Sequence, residues 1–323
     1  MLTSLLIGHS IVRGALRSDN LGYIAFAKDE LASQGFEHSF FLVFHNGAWL
    51  WPTMDDHTQW ATSSVTIVKN PREQALYLDL GSRGEIYRVG SGDVLEELAL
   101  FELPEGPKDF GPMCCIRSID GDAYAVGMGR QVYRRRDVNR RERMDFGVRT
   151  KLEMNNTYSF EAVHGFSHSN IYAAGRRGEI WRFDGRSWAQ QTSPTDQIIT
   201  DICCTSSGTV VACGLGGTLL SSDNGVDWID SEQETTREDF WSIVDFKGRT
   251  FLATTSALYE QIAEALVQVD FGEDFPATCL SLSTSENVLW SIGPKDIFSF
   301  DGSRWSRVDR VDPLGPREPR HEC

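Results

Sequence analysis

The chain has 323 residues, enough for one large domain or two ordinary ones, and its apolar and aromatic content is that of a globular protein. Its 31 basic and 46 acidic residues give a formal net charge of −15. This charge disfavours general nucleic-acid binding, because neutralising phosphate charge supplies most of that affinity, and it favours a basic protein or a small ligand as partner.

The chain begins with an apolar segment, Met1 to Ile7, that is too short to span a membrane and has neither a basic leader nor a cleavage site. We expect a β-strand here that completes the last repeat of the chain, and no membrane contact. Residues 40–51, FFLVFHNGAWLW, then match the second half of a four-stranded unit that recurs downstream.

The recurring unit is a strand, a Ser/Gly turn, a strand ending in Gly, a second turn, a third strand, an Asp-Gly turn and a Trp-bearing fourth strand. Its copies cover residues 74–98, 113–146, 160–194, 199–233, 240–270 and 279–308. The glycine that ends the second strand recurs as Gly81, Gly127, Gly175, Gly214 and Gly293, with Thr255 near the position of a missing one.

This repeat predicts the fold class. A period of about 40 residues with four short strands is typical of propeller blades, whereas a helical solenoid would space its apolar residues every three or four positions. Only residues 29–34 and 258–266 resemble helices. We therefore predict an all-β protein, a β-propeller of seven four-stranded blades, with six or eight as alternatives. Residues 1–310 would form this single domain and residues 311–323 a flexible C-terminal tail.

One turn resembles a known family motif. Residues 221–228, SSDNGVDW, are similar to the Asp-box or BNR repeat, Ser-x-Asp-x-Gly-x-Thr-Trp. The matching residues are Ser221, Asp223, Gly225 and Trp228, with shorter relatives at 44–49, 183–188 and 300–305. In such a hairpin the Asp accepts backbone hydrogen bonds, the Gly takes a positive φ and the Trp packs beneath. The chain thus resembles sialidase-like and photosystem-assembly-factor-like propellers, where this box is structural and lies away from the binding face.

The seven cysteines predict free thiols. Four of them form the adjacent pairs Cys114-Cys115 and Cys203-Cys204, and neighbours in a strand point to opposite faces, so neither pair suits a disulfide. No Cys/His spacing indicates zinc, and we expect no metal and no cofactor. Buried free thiols are typical of a reducing compartment, which predicts a cytoplasmic protein.

A candidate partner-binding site lies on the face where the second-to-third-strand turns gather near the propeller axis. Those turns carry Arg83, Arg130, Arg176, Arg177 and Lys295, which predicts a focused positive spot. Acidic connections between blades reach the same face, with Asp55, Asp56, Glu238 and Asp239 among them. A rim of mixed sign suits a protein partner better than a simple anion.

A second basic segment, residues 130–149, reads as a long outer hairpin with six arginines between positions 134 and 143. Nucleic acid is the alternative use for such a patch. However, Asp137, Glu142 and Asp145 interrupt it and no aromatic ladder accompanies it, so we predict a solvated hairpin whose charges pair with each other.

No catalytic motif accompanies these features: neither GxSxG nor HExxH occurs, and the early arginine motif of sialidases has no match. We therefore predict a non-catalytic protein-binding scaffold, such as a bacterial immunity or assembly protein, that caps a partner through its axial face. The partner would be a basic toxin or an assembly client. The alternative is a sialidase-like propeller that cleaves or binds glycans.

Overall fold

A computed structural model of the chain describes residues 3–4, 6–50, 57–79, 81, 84–90, 93–97, 105–151, 158–231 and 234–311. The described residues form seven antiparallel sheets of four or five strands that follow one another along the sequence, which we number as blades 1 to 7, and a separate two-stranded sheet. The predicted tail beyond Val311 lies outside them.

The first four blades follow strand β1 (Thr3–Ser4). Blade 1 contains β2 (His9–Ser18), β3 (Leu21–Lys28), β4 (Ser39–His45) and β5 (Ala48–Leu50), with β6 (His57–Thr58) also paired to β4. Blade 2 contains β7 (Thr62–Val68), β8 (Gln74–Asp79), β9 (Ile86–Gly90) and β10 (Asp93–Glu97). Blade 3 contains β11 (Met113–Ile119), β12 (Asp122–Gly127), β13 (Gln131–Asp137) and β14 (Arg140–Arg143). Blade 4 contains β15 (Phe160–Ser167), β16 (Asn170–Gly175), β17 (Ile180–Phe183) and β18 (Trp188–Gln191).

The remaining blades precede a last short strand, β31 (Arg310–Val311). Blade 5 contains β19 (Ile199–Cys204), β20 (Val210–Gly214), β21 (Leu219–Ser222) and β22 (Ile229–Asp230). Blade 6 contains β23 (Ser242–Phe246), β24 (Arg249–Ala253), β25 (Leu258–Ile262) and β26 (Ala265–Gln268). Blade 7 contains β27 (Ser281–Thr284), β28 (Leu289–Ile292), β29 (Ile297–Phe300) and β30 (Trp305–Arg307).

Among the described residues, α-helix is confined to two short segments, α1 (Asp29–Ser33) and α2 (Pro107–Phe110), besides single 3-10 turns at Arg176–Gly178 and Leu215–Gly217. The first matches one of the two candidate helices, whereas residues 258–266 form strands β25 and β26. Neither helix has the length and apolar content that a bilayer crossing demands.

The second strands of the blades are buried on both faces. Every residue of β8 and β12 is buried, because these strands lie between two neighbouring blades. The outer strands are more exposed: two of the four residues of β18 and three of the four of β26 are exposed. Continuous apolar runs therefore mark the inner layers, and polar residues mark the rim of each blade.

Adjacent blades share their hydrophobic cores. In the core that joins blade 1 to blade 7, Phe26 packs with Trp290 and Ile292, all essentially inaccessible to solvent. A Cβ atom on Gly22 would lie only 2.5 Å from the Trp290 ring, so this glycine permits the two blades to approach. Each fully buried side chain of this size contributes roughly 1.5–3 kcal/mol.

The ring closes differently from the sequence prediction. Blade 7 forms its own fourth strand, and β1 pairs with β31 beyond that blade, with Thr3 opposite Val311. The reason is that residues 279–308 already contain a Trp-bearing outer strand, which occupies the edge that the N-terminal strand was expected to fill. A further bond crosses the same junction, where Trp49 Nε1 donates to the Val308 carbonyl at 2.9 Å.

The turn of residues 221–228 also differs in detail. Gly225 has a φ of 69° and Trp228 is buried, as predicted. The backbone N–H groups of Val226 and Asp227 donate to Asn224 Oδ1, both at 2.8 Å, whereas the exposed Asp223 accepts a bond from Thr209 Oγ1. Asn224, and not Asp223, therefore accepts the backbone N–H groups of the turn. The accepting side chain must lie four residues before the Trp to reach both N–H groups.

Asp184 and Asp301 occupy the same position as Asn224 in the turns of blades 4 and 7. Each lies four residues before a Trp and accepts two backbone N–H groups of its turn. Those bonds lower the pKa of Asp301 to about 2. In blades 4, 5 and 7 the turn between the third and fourth strands thus uses an Asp or Asn followed by Gly.

The six described cysteines are all free, and four of them are buried. Cys323 lies outside the described residues. Among the residues that the structure describes, no group of three His, Cys, Asp or Glu side chains is placed to hold a metal ion.

Candidate binding face and axial channel

The innermost strands of the seven blades, β2, β7, β11, β15, β19, β23 and β27, surround the axis and contact one another in sequence, with β27 meeting β2. Each inner strand begins beside the second-to-third-strand turn of its own blade. Thus Arg176 N donates to the Ser159 carbonyl at 3.1 Å, and Leu215 N donates to the Ile198 carbonyl at 3.0 Å. We call the end formed by these turns the axial face.

Arg130, predicted to bind a partner, has an internal role. Its Nε and Nη2 atoms donate to the two Glu179 oxygens at 2.8 and 2.6 Å, and its guanidinium lies 4.0 Å from the Tyr158 ring centre. Both charged side chains are almost buried. This bidentate pair connects the turn of blade 3 to the turn of blade 4 and leaves Arg130 little surface for a partner.

The other described cations of the face are more exposed. Arg176 Nε donates to Glu161 Oε1 at 3.0 Å, and Lys295 Nζ donates to Asp29 Oδ2 at 2.7 Å. Arg177 adopts a left-handed φ of 65° and extends over the Tyr158 ring, with no carboxylate partner among the described residues. Arg83 lies outside the described residues.

The two predicted acidic residues that the structure describes, Glu238 and Asp239, lie on the same face. Glu238 and Asp239 are exposed in the connection that leads into β23, and Asp239 Oδ1 accepts a bond from Gly216 N at 2.8 Å. Asp55 and Asp56 lie outside the described residues. Most of the described cations have a carboxylate beside them, so the described part of the face has the mixed sign that the sequence suggested, without a concentrated positive spot.

Trp241 is a residue of this face that sequence reasoning missed. Its side chain is 41% exposed at the mouth of the central channel, whereas the preceding Phe240 is fully buried. The adjacent aromatic residues Phe240 and Trp241 could have indicated it. Only one of two successive strand residues can face the core, so the other must face outward. A large exposed indole on a rigid strand end is typical of an interface anchor.

Several arginines of the blade 3 hairpin are ion-paired, but only in part with the hairpin's own carboxylates as predicted, since Asp122 and Glu105 lie outside residues 130–149. Arg134 contacts Asp122 at 2.7 Å, and Arg136 contacts Glu142 at 2.9 Å. Arg143 contacts Glu105 at 2.7 Å. These pairs neutralise much of the patch that a nucleic acid would need.

A channel with a volume of about 830 Å³ runs along the axis and is lined by all seven inner strands. Its walls are rich in Ser, Thr and Cys. Its ionisable side chains are Arg13, Arg117, Glu161, His164, Arg176, Asp201 and Asp245, besides four thiols. The sequence did not reveal this channel, because its lining comes in short runs from seven segments that are far apart along the chain.

Side chains of one inner strand bond to the backbone of the next. An inner strand is the edge of its sheet, so its outward N–H groups need partners from elsewhere. The acceptors are Ser283 for Leu16 N, Thr66 for Ser118 N, His164 for Cys204 N, Asp201 for Ile243 N and Ser242 for Leu282 N. The distances run from 2.7 to 3.2 Å. This belt of bonds joins neighbouring blades around the axis.

Asp201 is the most connected member of the belt. Its Oδ1 atom accepts from Arg117 Nη2 at 2.7 Å, and its Oδ2 atom accepts from Ile243 N at 3.0 Å and Ser242 Oγ at 3.2 Å. It therefore links blades 3, 5 and 6 across the channel.

His164 in this belt must be neutral, because its Nδ1 atom accepts the Cys204 N–H at 2.7 Å. Burial first, and then the positive charge of Arg117, lower the pKa of His164 from 6.5 to about 3. In the unfolded chain the ring takes up a proton near pH 6.5, whereas the folded protein does not until about pH 3. The stability from His164 is therefore complete above pH 6.5 and is lost as the pH falls toward 3.

We expect the pH dependence of stability to reveal this histidine. As the pH is lowered below about 6.5, the free energy of unfolding should fall more steeply for the wild type than for His164→Gln. The difference between the two slopes should reach about 1.4 kcal/mol per pH unit. Urea unfolding at several pH values between 7.5 and 5 measures the difference. Burial raises the pKa of Asp79, Asp145 and Asp309, but both proteins share those carboxyls, so their contribution cancels. Parallel curves for the two proteins would contradict the neutral, buried state.

No family model matches the chain. One curated protein does: Immune protein Tsi7 of Pseudomonas aeruginosa is 42% identical over 304 residues, which cover 93% of this chain and 97% of Tsi7. The chain belongs to the Tsi7 family of immune proteins. Membership of this family agrees with a non-catalytic immunity-type propeller and disfavours the glycan-active alternative.

Solved structures confirm the fold alone. The chain is similar to YCF48 bound to D1 peptide, with a TM-score of 0.64 and 14% identity over 98% of this chain and 97% of that one. The WD40 propeller domain of Doa1 aligns with a TM-score of 0.63 and 14% identity over 95% of both chains. The prediction of an all-β propeller with seven four-stranded blades is confirmed for this Tsi7 relative.

Proposed function

We propose that this chain is a cytoplasmic immunity protein that binds a toxin protein through its axial face and thereby blocks it. The observation that carries the proposal is the 42% identity to Immune protein Tsi7 over nearly the whole of both chains. Identity at this level over such a length preserves a common fold and supports a common type of role.

The composition of the axial face supports a protein as the ligand. Trp241 offers a large apolar contact on the face that also carries the charged Arg177 and Asp239. Interfaces of this kind derive much of their affinity from a few aromatic and arginine side chains, and the surrounding charges set orientation and association rate. A propeller of the same fold, YCF48, has been solved with a bound peptide, which agrees with this use of the architecture.

The net charge of −15 supports a basic toxin. Opposite net charges accelerate encounter, and a basic toxin that acts on a nucleic acid or another anion would be attracted to the same surface. The six free thiols fit a reducing cytoplasm, where disulfides do not persist.

Growth rescue combined with binding tests the proposal. The wild-type chain is used to capture its partner from the native host, and that partner is then expressed alone and together with the chain. We expect a basic partner that arrests growth alone, growth restored by co-expression, and an association rate that falls several-fold as salt is raised. A partner that is harmless alone, or glycosidase activity that disappears in Arg176→Ala, would replace the immunity role with another.

A further inference from the structure

The charges inside the axial channel are not balanced where Arg13 lies. Arg13 is in β2 of blade 1, and its side chain lines the channel. Its Nε atom donates to the Ser63 carbonyl at 2.8 Å and its Nη1 atom donates to the Val12 carbonyl at 2.8 Å. Among the residues that the structure describes, no carboxylate lies within ion-pair distance of it.

These two bonds leave Arg13 only partly satisfied. A guanidinium has five N–H donors, so three of those of Arg13 have no acceptor among the described residues. Burial lowers the pKa of Arg13 below its ordinary value, because the channel walls replace much of the water that would stabilise its charge. A positive charge held in such a place is stabilised by an anion that enters the channel.

The other cations of the channel already have partners. Asp201 pairs with Arg117 at 2.7 Å, and Glu161 pairs with Arg176 at 3.0 Å. The remaining carboxylate, Asp245, accepts a bond from Ser206 N at 3.0 Å, beyond the end of β19 that is farther from the axial face. Among the described residues of the channel, Arg13 is therefore the cation without a carboxylate in ion-pair contact, although the more distant Asp201 also stabilises its charge.

We propose that the axial channel is a binding site for a single carboxylate group, which the free N–H groups of Arg13 hold as a fork. A planar carboxylate matches the planar guanidinium and supplies one negative charge. A phosphate dianion would bring a second charge close to Asp201 and Glu161, which disfavours it. Hydroxyl groups on the walls, such as those of Ser281 and Thr200, suit a polar ligand.

The carboxylate has two sources with the same chemistry. One is a small free carboxylate that enters by diffusion. The other is an Asp, a Glu or a chain terminus of a bound protein, inserted at the mouth beside Trp241 and Arg176. The site itself does not rest on the proposed immunity function, because a free carboxylate would occupy it without any protein partner.

Calorimetric titration with sodium acetate, at constant ionic strength and pH 7, tests the site. We expect saturable binding of one acetate per wild-type chain, at least tenfold weaker in Arg13→Gln. The matched control is Arg249→Gln, which removes an arginine that pairs with Glu260 between strands of blade 6 and should leave acetate binding unchanged. No saturable binding to the wild type, equal binding to Arg13→Gln, or tighter binding of inorganic phosphate than of acetate would overturn the proposal.

A second measurement avoids dependence on the folding of the variant. A ligand that binds only the folded state raises the melting temperature, and the rise grows with the logarithm of the ligand concentration once that exceeds the dissociation constant. Acetate should therefore raise the melting temperature of the wild type above that in sodium chloride of equal ionic strength, and no difference would also overturn the site. Repeating the capture of the toxin partner in acetate then separates the sources: weaker capture assigns the carboxylate to the partner, and unchanged capture assigns it to a free ligand.

Discussion

Asp201→Ala is expected to lower the free energy of unfolding by about 3–5 kcal/mol, the range found when one member of a buried ion pair is removed. The loss is large because the substitution leaves Arg117 without its carboxylate inside the channel, and Ile243 N and Ser242 Oγ without their acceptor. The belt that joins blades 3, 5 and 6 would be interrupted at one point. Urea unfolding followed by tryptophan fluorescence measures the change, which should appear as a lower midpoint with an unchanged slope.

The control is Glu142→Ala. Glu142 also pairs with an arginine, Arg136, at 2.9 Å, but both side chains are about half exposed. Exposed pairs of this type contribute about 0–1 kcal/mol, because water solvates the separated charges well. A loss for Asp201→Ala no larger than that for Glu142→Ala would show that the axial belt does not hold the blades together.

The blade repeat was predictable because each blade repeats the same local chemistry. The glycine that ends the second strand has a direct structural cause. A Cβ atom on Gly175 would lie 2.0 Å from the Ser159 carbonyl oxygen, and one on Gly214 would lie 2.2 Å from that of Ile198. Only glycine lets these turns approach the start of the inner strand, so this residue recurs at the matching position of most blades and sets a visible period.

The site was less predictable, because its contacts join different blades. Arg130 and Glu179 are 49 residues apart, and nothing in either segment indicates that they pair. The same holds for Arg117 and Asp201, which are 84 residues apart and meet only across the channel. A sequence repeat shows which turns share a face, but the partner of each charged side chain depends on the rotation between blades. The gathering of Arg176 and Asp239 at one end was thus foreseeable, whereas the pairing of its cations was not.

Trp241→Ala is expected to weaken the complex with the toxin partner by at least 2 kcal/mol, or about thirtyfold, as is typical of an interface anchor. The indole is already 41% exposed at the channel mouth, so its removal takes away contact area without opening the core, which Phe240 fills on the other side of the strand. The melting temperature of the free protein should therefore change little. Biolayer interferometry with the immobilised partner measures the affinity, and the loss should appear mainly as faster dissociation.

Phe166→Ala provides the matched control, because Phe166 is a similarly exposed aromatic residue in the β15–β16 hairpin, at the end of the propeller opposite the axial face. If the axial face binds the partner, Phe166→Ala should leave the affinity within about twofold of the wild type. The reverse pattern would place the interface at the opposite end of the propeller. No single interface can include both ends of a closed ring. Equal losses of affinity in both variants, together with lower melting temperatures, would therefore mean that the substitutions act on folding.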